Sequence, residues 1–152
     1  MTVIRASVQE DWIDFNGHMR DAYYMLVISW ANDAIMDELG LDDAYRRSNR
    51  RSMYNIDTRI RYLKEAKLDE PLIARMRMLD ADDKRWHLHT ILSNEETGAE
   101  LAVNESILCH VAQDGPQAIA FPEAIARSVA GRLKADAGPL PALRCEGVQL
   151  RR

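Results

Sequence analysis

The fold is decided by residues 22–39, AYYMLVISWANDAIMDEL, the most clearly helical stretch of the chain. The first half of this stretch is apolar on nearly every side, and the second half places Ile35 and Leu39 opposite acidic and amide residues. A helix that is apolar all round is normally buried. Asp21 can cap its beginning, and Gly40 suits the left-handed position that ends a helix. The sequence therefore predicts one long helix at the centre of the molecule.

After this helix the sequence changes to an alternation of apolar and polar residues, which is typical of β-strands. Strands are predicted over 53–63, 71–79, 85–93 and 101–111, with a β-capable segment at 3–9 and further helices at 42–47 and 121–133. Polar turns between the strands indicate antiparallel hairpins. A curved antiparallel sheet would cover the apolar surface of the long helix, so the sequence predicts an α+β fold.

The composition disfavours several classes of protein. The chain has 152 residues, of which 47% are hydrophobic and 29% are charged, as is usual for one globular domain. It carries a formal charge of −4 and has no basic run, so we expect no nucleic-acid partner. No apolar run is long enough to cross a membrane, and the first residues lack the apolar core of a signal peptide.

The two cysteines, Cys109 and Cys145, are far apart in the sequence and show no metal-ligand spacing. Reduced thiols in a cytoplasmic protein explain them, and we expect no metal. One domain is predicted over residues 1–134. Residues 135–152 contain glycines and prolines and are predicted to form a loosely ordered tail.

The loop before the long helix carries a motif. Residues 11–19 read DWIDFNGHM, and Ala22 and Tyr24 follow at the start of the helix. This segment resembles the hotdog-fold acyl-CoA thioesterases of the hydroxybenzoyl-CoA thioesterase type. Residues 60–66, IRYLKEA, are similar to the second strand of the same family.

The resemblance implies a fold and an activity. The hotdog fold is a curved antiparallel sheet wrapped around one long central helix, and the family hydrolyses a small acyl-CoA thioester to the free acid and coenzyme A. The motif is also similar to that of thioesterases that cleave betainyl-CoA in carnitine breakdown, so betainyl-CoA is a candidate substrate. Coenzyme A is then part of the substrate, and no cofactor is expected. Hotdog domains pair at a sheet edge, which implies a homodimer or a dimer of dimers.

Within the motif, Asp14 is the candidate catalytic residue. The family's aspartate acts as general base or nucleophile, although an aspartate in a turn often binds only its own backbone. Gly17 would let the backbone approach the thioester carbonyl, and amides between Gly17 and Arg20 are expected to stabilise the oxyanion. His18 is expected to support the loop rather than carry a proton. Met19 replaces the family's valine, and the next two residues replace two asparagines.

Other polar and aromatic side chains are candidates for substrate binding. They are Trp12, Asn16, Tyr24, Asn55, Asp57, Arg59 and Arg61. Trp12 could line an acyl pocket and attract a quaternary ammonium group through a cation–π contact. The last four residues alternate along one predicted strand, so they are expected to share a face and to include arginines that meet the phosphates of coenzyme A. Core packing of the aromatic rings and a solvated polar strand face are the competing interpretations.

Two other functions are compatible with this fold. A non-catalytic acyl-CoA-binding module would explain why the asparagines after Met19 are replaced. A hotdog dehydratase or hydratase usually carries a different arrangement of histidine and aspartate, which this sequence lacks.

Overall fold

The computed structural model describes residues 1–150, which form one sheet and three helices. In chain order the elements are β1 (Thr2–Ser7), a 3-10 turn (Glu10–Trp12), α1 (Asp21–Glu38), α2 (Asp43–Asn49), β2 (Arg51–Tyr62), β3 (Pro71–Ala81), β4 (Arg85–Asn94), β5 (Glu100–Ala112), β6 (Gln117–Ala118) and α3 (Glu123–Ala135). Every predicted helix and strand is present with slightly shifted ends. The two-residue strand β6 has no counterpart in the sequence prediction.

The strands form one curled sheet in the order β1-β3-β4-β5-β2, and every pair is antiparallel. Strand β6 pairs with the end of β5. Helix α1 packs against one face of this sheet, which we call the inner face. This arrangement confirms the predicted α+β class and leaves β1 and β2 at the two edges.

Helix α1 buries one stripe of side chains and leaves its other side open. The buried residues are Tyr24, Val27, Ile28, Ala31, Asn32, Ile35 and Met36. Their spacing of three and four residues is that of an amphipathic helix on a core. The prediction of a helix buried on all sides of its first half is wrong, because the sheet curls around one side only. Trp30, on the open side, is 37% exposed.

Part of the predicted tail packs on the opposite, outer face of the sheet. We call residues 143–148 the C-terminal strap. Cys145 and Val148 of the strap form a second apolar cluster with Val103 and Ile107 of β5. The domain boundary at residue 134 stays a prediction, and residues 151–152 of the tail lie outside the described residues.

A buried carboxylate fixes the strap to the sheet. Glu105 of β5 is fully buried and accepts hydrogen bonds from the Arg144 guanidinium and from the Cys145 amide, the latter at 2.8 Å. His87 Nε2 lies 2.7 Å from the same carboxylate, and His89 Nε2 lies 2.8 Å from the Leu143 carbonyl. Both histidines of β4 are therefore packed strand residues with protein partners.

Candidate active site

The motif loop before α1 is held in place by backbone hydrogen bonds. Ile13 and Met19 form an isolated antiparallel bridge. The Met19 amide donates to Ala66 at 2.8 Å, and the Arg20 amide donates to Trp12 at 2.9 Å. Gly17 has a φ of +79°, a conformation that side chains disfavour, which explains the glycine in this turn. These backbone contacts therefore fix the shape of the loop.

The Asp14 carboxylate organises this loop and also faces a cleft. It accepts hydrogen bonds from the amides of Asn16 at 2.8 Å and His18 at 3.3 Å. Burial acts to raise the pKa of Asp14, but these amide donors outweigh it and hold the pKa below its ordinary value. The turn-forming role of the aspartate is thus real, and it keeps the group ionised at neutral pH.

The cleft beside Asp14 has a volume of about 760 Å³. Its walls come from the motif loop, the start of α1 and the segment after β2: Asp14, Asn16, His18, Met19, Asp21, Tyr24, Tyr62, Leu63, Lys64 and Glu65. His18 Nε2 lies 3.3 Å from the Glu65 carboxylate, so the histidine links the loop to that segment. This contact agrees with a supporting role for His18, which stays a prediction.

The beginning of α1 differs from the predicted one. Asp21 is the first residue of the helix and Arg20 is its cap, without a side-chain hydrogen bond. The Asp21 carboxylate instead accepts the amide of Ala22 at 2.9 Å. The amides from Gly17 to Arg20, in which the oxyanion donors were expected, all donate to groups in or next to the loop. The Asp21 amide is the first amide of the helix, and Asp21 is one of the residues that line the cleft.

The aromatic wall of the cleft is made by Tyr24 and Tyr62. Their rings meet edge to face at a centroid distance of 5.4 Å and an interplanar angle of 87°. The Tyr24 hydroxyl donates to the Lys64 carbonyl at 3.1 Å. Trp12 is not part of this wall, because it is buried and stacks on Tyr23 at 5.1 Å. Packing on the helix therefore accounts for Trp12.

A β-bulge separates the polar residues of β2. Asn55 pairs with Leu108 and Asp57 pairs with Ile107, so the register shifts at Ile56. Directly paired residues project to the same side of a sheet. Leu108 belongs to the core under α1 and Ile107 to the outer cluster, so Asn55 and Asp57 lie on opposite faces. The prediction of one shared face is wrong because the extra residue reverses the alternation.

Arg59 and Arg61 lie on the outer face of β2, away from the Asp14 cleft. Arg59 donates to the carbonyl of Glu146, and Arg61 donates to the carbonyl of Arg144 at 3.0 Å. In this structure both guanidinium groups hold the C-terminal strap. The structure therefore does not bring the two arginines, Asn55 or Asp57 into the lining of the cleft.

Several cleft residues were not singled out by sequence reasoning. Tyr62 is the last residue of β2 and Glu65 lies three residues later, and both belong to the segment 60–66 that resembles the family's second strand. That resemblance was the available signal for this wall. Their distance from Asp14 in sequence hides their proximity, which arises only when β2 pairs with β5.

Within residues 1–150, no group of three or more histidine, cysteine, aspartate or glutamate side chains is arranged to hold a metal ion. None of the helices in the described part of the chain has the length and apolar character to span a membrane.

The lowered pKa of Asp14 predicts the pH dependence of the thioester hydrolysis that the motif's resemblance implies. A carboxylate with a lowered pKa stays ionised as the pH falls, so kcat/KM should remain level between about pH 5 and 8. Loss of thioester absorbance measures the rate, and circular dichroism at each pH checks that the protein is folded. An acid limb centred near pH 6 would contradict this assignment and would place a histidine in the rate-controlling step.

The comparison with protein families identifies the chain along most of its length. The model of the thioesterase-like superfamily matches residues 8–129, which include the motif loop, α1 and strands β2 to β5.

Two characterised relatives share substantial sequence with the chain. The betainyl-CoA thioesterase of Pseudomonas aeruginosa is 37% identical over 121 residues, which cover 80% of this chain and 76% of that protein. The L-carnitine dehydrogenase/betainyl-CoA thioesterase of Agrobacterium fabrum is 38% identical over 136 residues, or 90% of this chain. The chain spans only 28% of the length of that second relative.

Solved structures show the same fold. A candidate thioesterase from Pseudomonas putida KT2440 is 32% identical and superposes with a TM-score of 0.82, covering 100% of this chain and 96% of its own. A Staphylococcus aureus protein in complex with CoA is 24% identical, with a TM-score of 0.88 over 99% of this chain and 94% of that one. The chain therefore belongs to the thioesterase-like superfamily, and its predicted hotdog fold and thioesterase activity are confirmed.

Proposed function

We propose that this thioesterase hydrolyses betainyl-CoA to betaine and coenzyme A. The observation that carries the proposal is the ionised Asp14 carboxylate in a cleft next to the first turn of α1. The acyl group is suggested by the relatives from P. aeruginosa and A. fabrum, which are named for betainyl-CoA. The structural neighbour solved with CoA supports a coenzyme A thioester as the substrate class.

In the proposed reaction the Asp14 carboxylate acts either as a general base or as a nucleophile. It either takes a proton from water as the water attacks the thioester carbonyl, or attacks the carbonyl itself to form an anhydride that water then cleaves. Both routes need the ionised form that the amides of Asn16 and His18 stabilise. In both routes the bond between the carbonyl carbon and sulfur breaks and coenzyme A leaves as a thiolate. The oxygen of one water molecule enters the acid product.

The developing oxyanion needs a hydrogen-bond donor beside Asp14. We assign this role to the Asp21 amide, because the first amides of a helix lack intrahelical partners and the helix dipole favours negative charge there. The Ala22 amide is less suited, since it already donates to the Asp21 carboxylate. No metal or prosthetic group takes part in this scheme, so a chelating agent should leave the rate unchanged.

A thiol-release assay across a panel of acyl-CoAs tests the activity. Betainyl-CoA should release free thiol faster than short aliphatic and aromatic acyl-CoAs. Binding of betainyl-CoA without thiol release would instead support the non-catalytic module. Loss of an unsaturated or hydroxylated acyl-CoA without thiol release would support the dehydratase or hydratase.

We also propose that the protein works as a homodimer in the cytoplasm. Strand β2 is an edge of the sheet, and it exposes Tyr54 and Ile56, which are 41% and 55% accessible. Edge strands with apolar side chains readily pair with another chain. The sheet also leaves one side of α1 uncovered, and Trp30 is exposed on that side. Pairing of two β2 strands would give each protomer the second wall that one curled sheet lacks.

A charge at the β2 edge should break this dimer. Ile56→Lys places an ammonium group where the two edges would meet, so the protein should become monomeric. Static light scattering at micromolar concentration measures the mass. Val3→Lys is the matched control, because Val3 is 36% exposed on β1, the opposite edge. A wild-type monomer, or an Ile56→Lys protein that stays dimeric, would contradict the proposal.

A further inference from the structure

We propose that Tyr62 and the Asp21 carboxylate make the cleft selective for acyl groups that carry a quaternary ammonium. This inference rests on the proposed function. It assigns acyl specificity to Tyr62, which lies outside the motif loop, and to Asp21, which replaces an asparagine of the family motif. In betainyl-CoA a single methylene separates the ammonium nitrogen from the thioester carbonyl carbon. A carbonyl that reacts at Asp14 therefore carries its cation into the lining of the same cleft.

The charges of this lining suit a cation. The residues that line the cleft include three acidic ones, Asp14, Asp21 and Glu65, against one lysine, Lys64, so negative side chains outnumber the ammonium group. The Glu65 carboxylate is partly engaged by His18 at 3.3 Å. Asp21 is exposed, and one oxygen of its carboxylate accepts the Ala22 amide at 2.9 Å. An acyl cation is attracted to this lining, and an anionic acyl group is repelled.

Tyr62 supplies the aromatic surface that the cation needs. Its side chain is 49% exposed, whereas Tyr24 is only 4% exposed. The Tyr62 hydroxyl donates to the Asp21 carbonyl at 3.3 Å, and its ring meets Tyr24 edge to face. An edge-to-face pair leaves at least one face of the Tyr62 ring uncovered by Tyr24. The ring is thus held at two points and offers a π-face, which attracts quaternary ammonium groups.

In the folded protein Trp12 is badly placed to bind the ammonium group. Trp12 lies close to Asp14 in sequence, but its ring is 6% exposed and stacked on Tyr23 with an interplanar angle of 10°. A ring whose face is covered in this way cannot bind a cation on that face. Tyr62 reaches the cleft from the end of β2, so only the folded sheet brings it beside the motif loop.

Two substrates of equal shape isolate the effect of the charge. Betainyl-CoA is compared with 3,3-dimethylbutyryl-CoA, in which a carbon atom replaces the ammonium nitrogen. The measured quantity is the ratio of kcat/KM for the charged substrate to that for the neutral one. Tyr62→Leu should lower this ratio about tenfold, mainly through KM. Tyr62→Phe is the matched control, because it keeps the ring and should change the ratio less than about threefold.

Asp21→Asn tests the charge separately. The asparagine oxygen can still accept the Ala22 amide, so the start of the helix is preserved. The ratio should fall severalfold at low salt and less at high salt, because screening weakens the contribution of the lost charge. Far-ultraviolet circular dichroism confirms that each variant is folded.

The outcomes separate the two proposals. If the wild-type protein releases thiol from neither substrate, the proposed function fails. If it hydrolyses both substrates equally well, or if Tyr62→Leu and Asp21→Asn leave the ratio unchanged, the specificity assignment is overturned while the thioesterase activity stands. A fall of the ratio in both variants, with little change in Tyr62→Phe, supports the assignment.

Discussion

Replacing Asp14 with asparagine is expected to lower kcat for betainyl-CoA by about 10²–10⁴-fold. The substitution removes the negative oxygen that either attacks the thioester or activates water. It keeps an oxygen that can accept the amides of Asn16 and His18, so the loop should retain its shape. A thiol-release assay measures the loss, and thermal unfolding checks that the variant is folded.

Asp11→Asn is the matched control for this experiment. Asp11 is an exposed acidic residue of the neighbouring 3-10 turn, and it is not part of the cleft lining. Its replacement makes the same change of net charge and should leave kcat close to that of the wild type. Equal rates for Asp14→Asn and Asp11→Asn would remove Asp14 from the reaction and leave it only the turn-forming role.

The second large effect is expected on stability, from Glu105→Gln. The carboxylate is fully buried and binds the Arg144 guanidinium, the Cys145 amide and His87. The substitution removes the buried charge that these three donors surround and leaves the partly exposed Arg144 guanidinium without its counter-ion, so the free energy of unfolding should fall by about 3 kcal/mol. For a chain of this size that corresponds to a melting temperature lower by roughly 6–12 °C. Differential scanning calorimetry measures it.

Glu100→Gln is the control for that variant, because Glu100 is an exposed carboxylate at the start of the same strand. Its melting temperature should change little. Similar melting temperatures for Glu105→Gln and the wild type would show that Glu105 does not anchor the strap.

The contribution of Glu105 to the free energy of unfolding should also depend on pH. Burial acts to raise the pKa of Glu105, but Arg144, the Cys145 amide and His87 outweigh it and lower the pKa. A group with a lowered folded-state pKa stabilises the protein above its unfolded pKa and loses that effect as the pH falls through the folded value. The difference in stability between wild type and Glu105→Gln should therefore be full above about pH 5 and shrink on acidification.

The motif loop and α1 were predictable because their signals are local. Asp14 and Gly17 lie in one short turn, and the apolar residues that follow predict the helix. The exact helix start was less accessible. The sequence predicted Asp21 as the cap, whereas in the folded loop Asp21 is the first helical residue and Arg20 is the cap.

The sequence pattern failed where one inserted residue changed the geometry. The alternation of polar residues along β2 predicted a single face, but the bulge at Ile56 puts Asn55 and Asp57 on opposite sides. The alternation of a strand carries no mark of such a bulge, because the residues around it remain β-capable. Arg59 and Arg61, predicted as phosphate ligands, hold the C-terminal strap in this structure, and their contact with the phosphates of coenzyme A stays a prediction.

By itself, the sequence determined the central helix, the antiparallel strands and the loop that carries Asp14, since each depends on neighbours in the chain. The tertiary structure alone decided which side chains share the cleft with Asp14. Tyr62 and Glu65 line it because hydrogen bonds join their segment to the motif loop and to the start of α1, from the Met19 amide to Ala66 and from the Tyr62 hydroxyl to Asp21. Such contacts join residues far apart in sequence, and they form only when the core beneath α1 has closed.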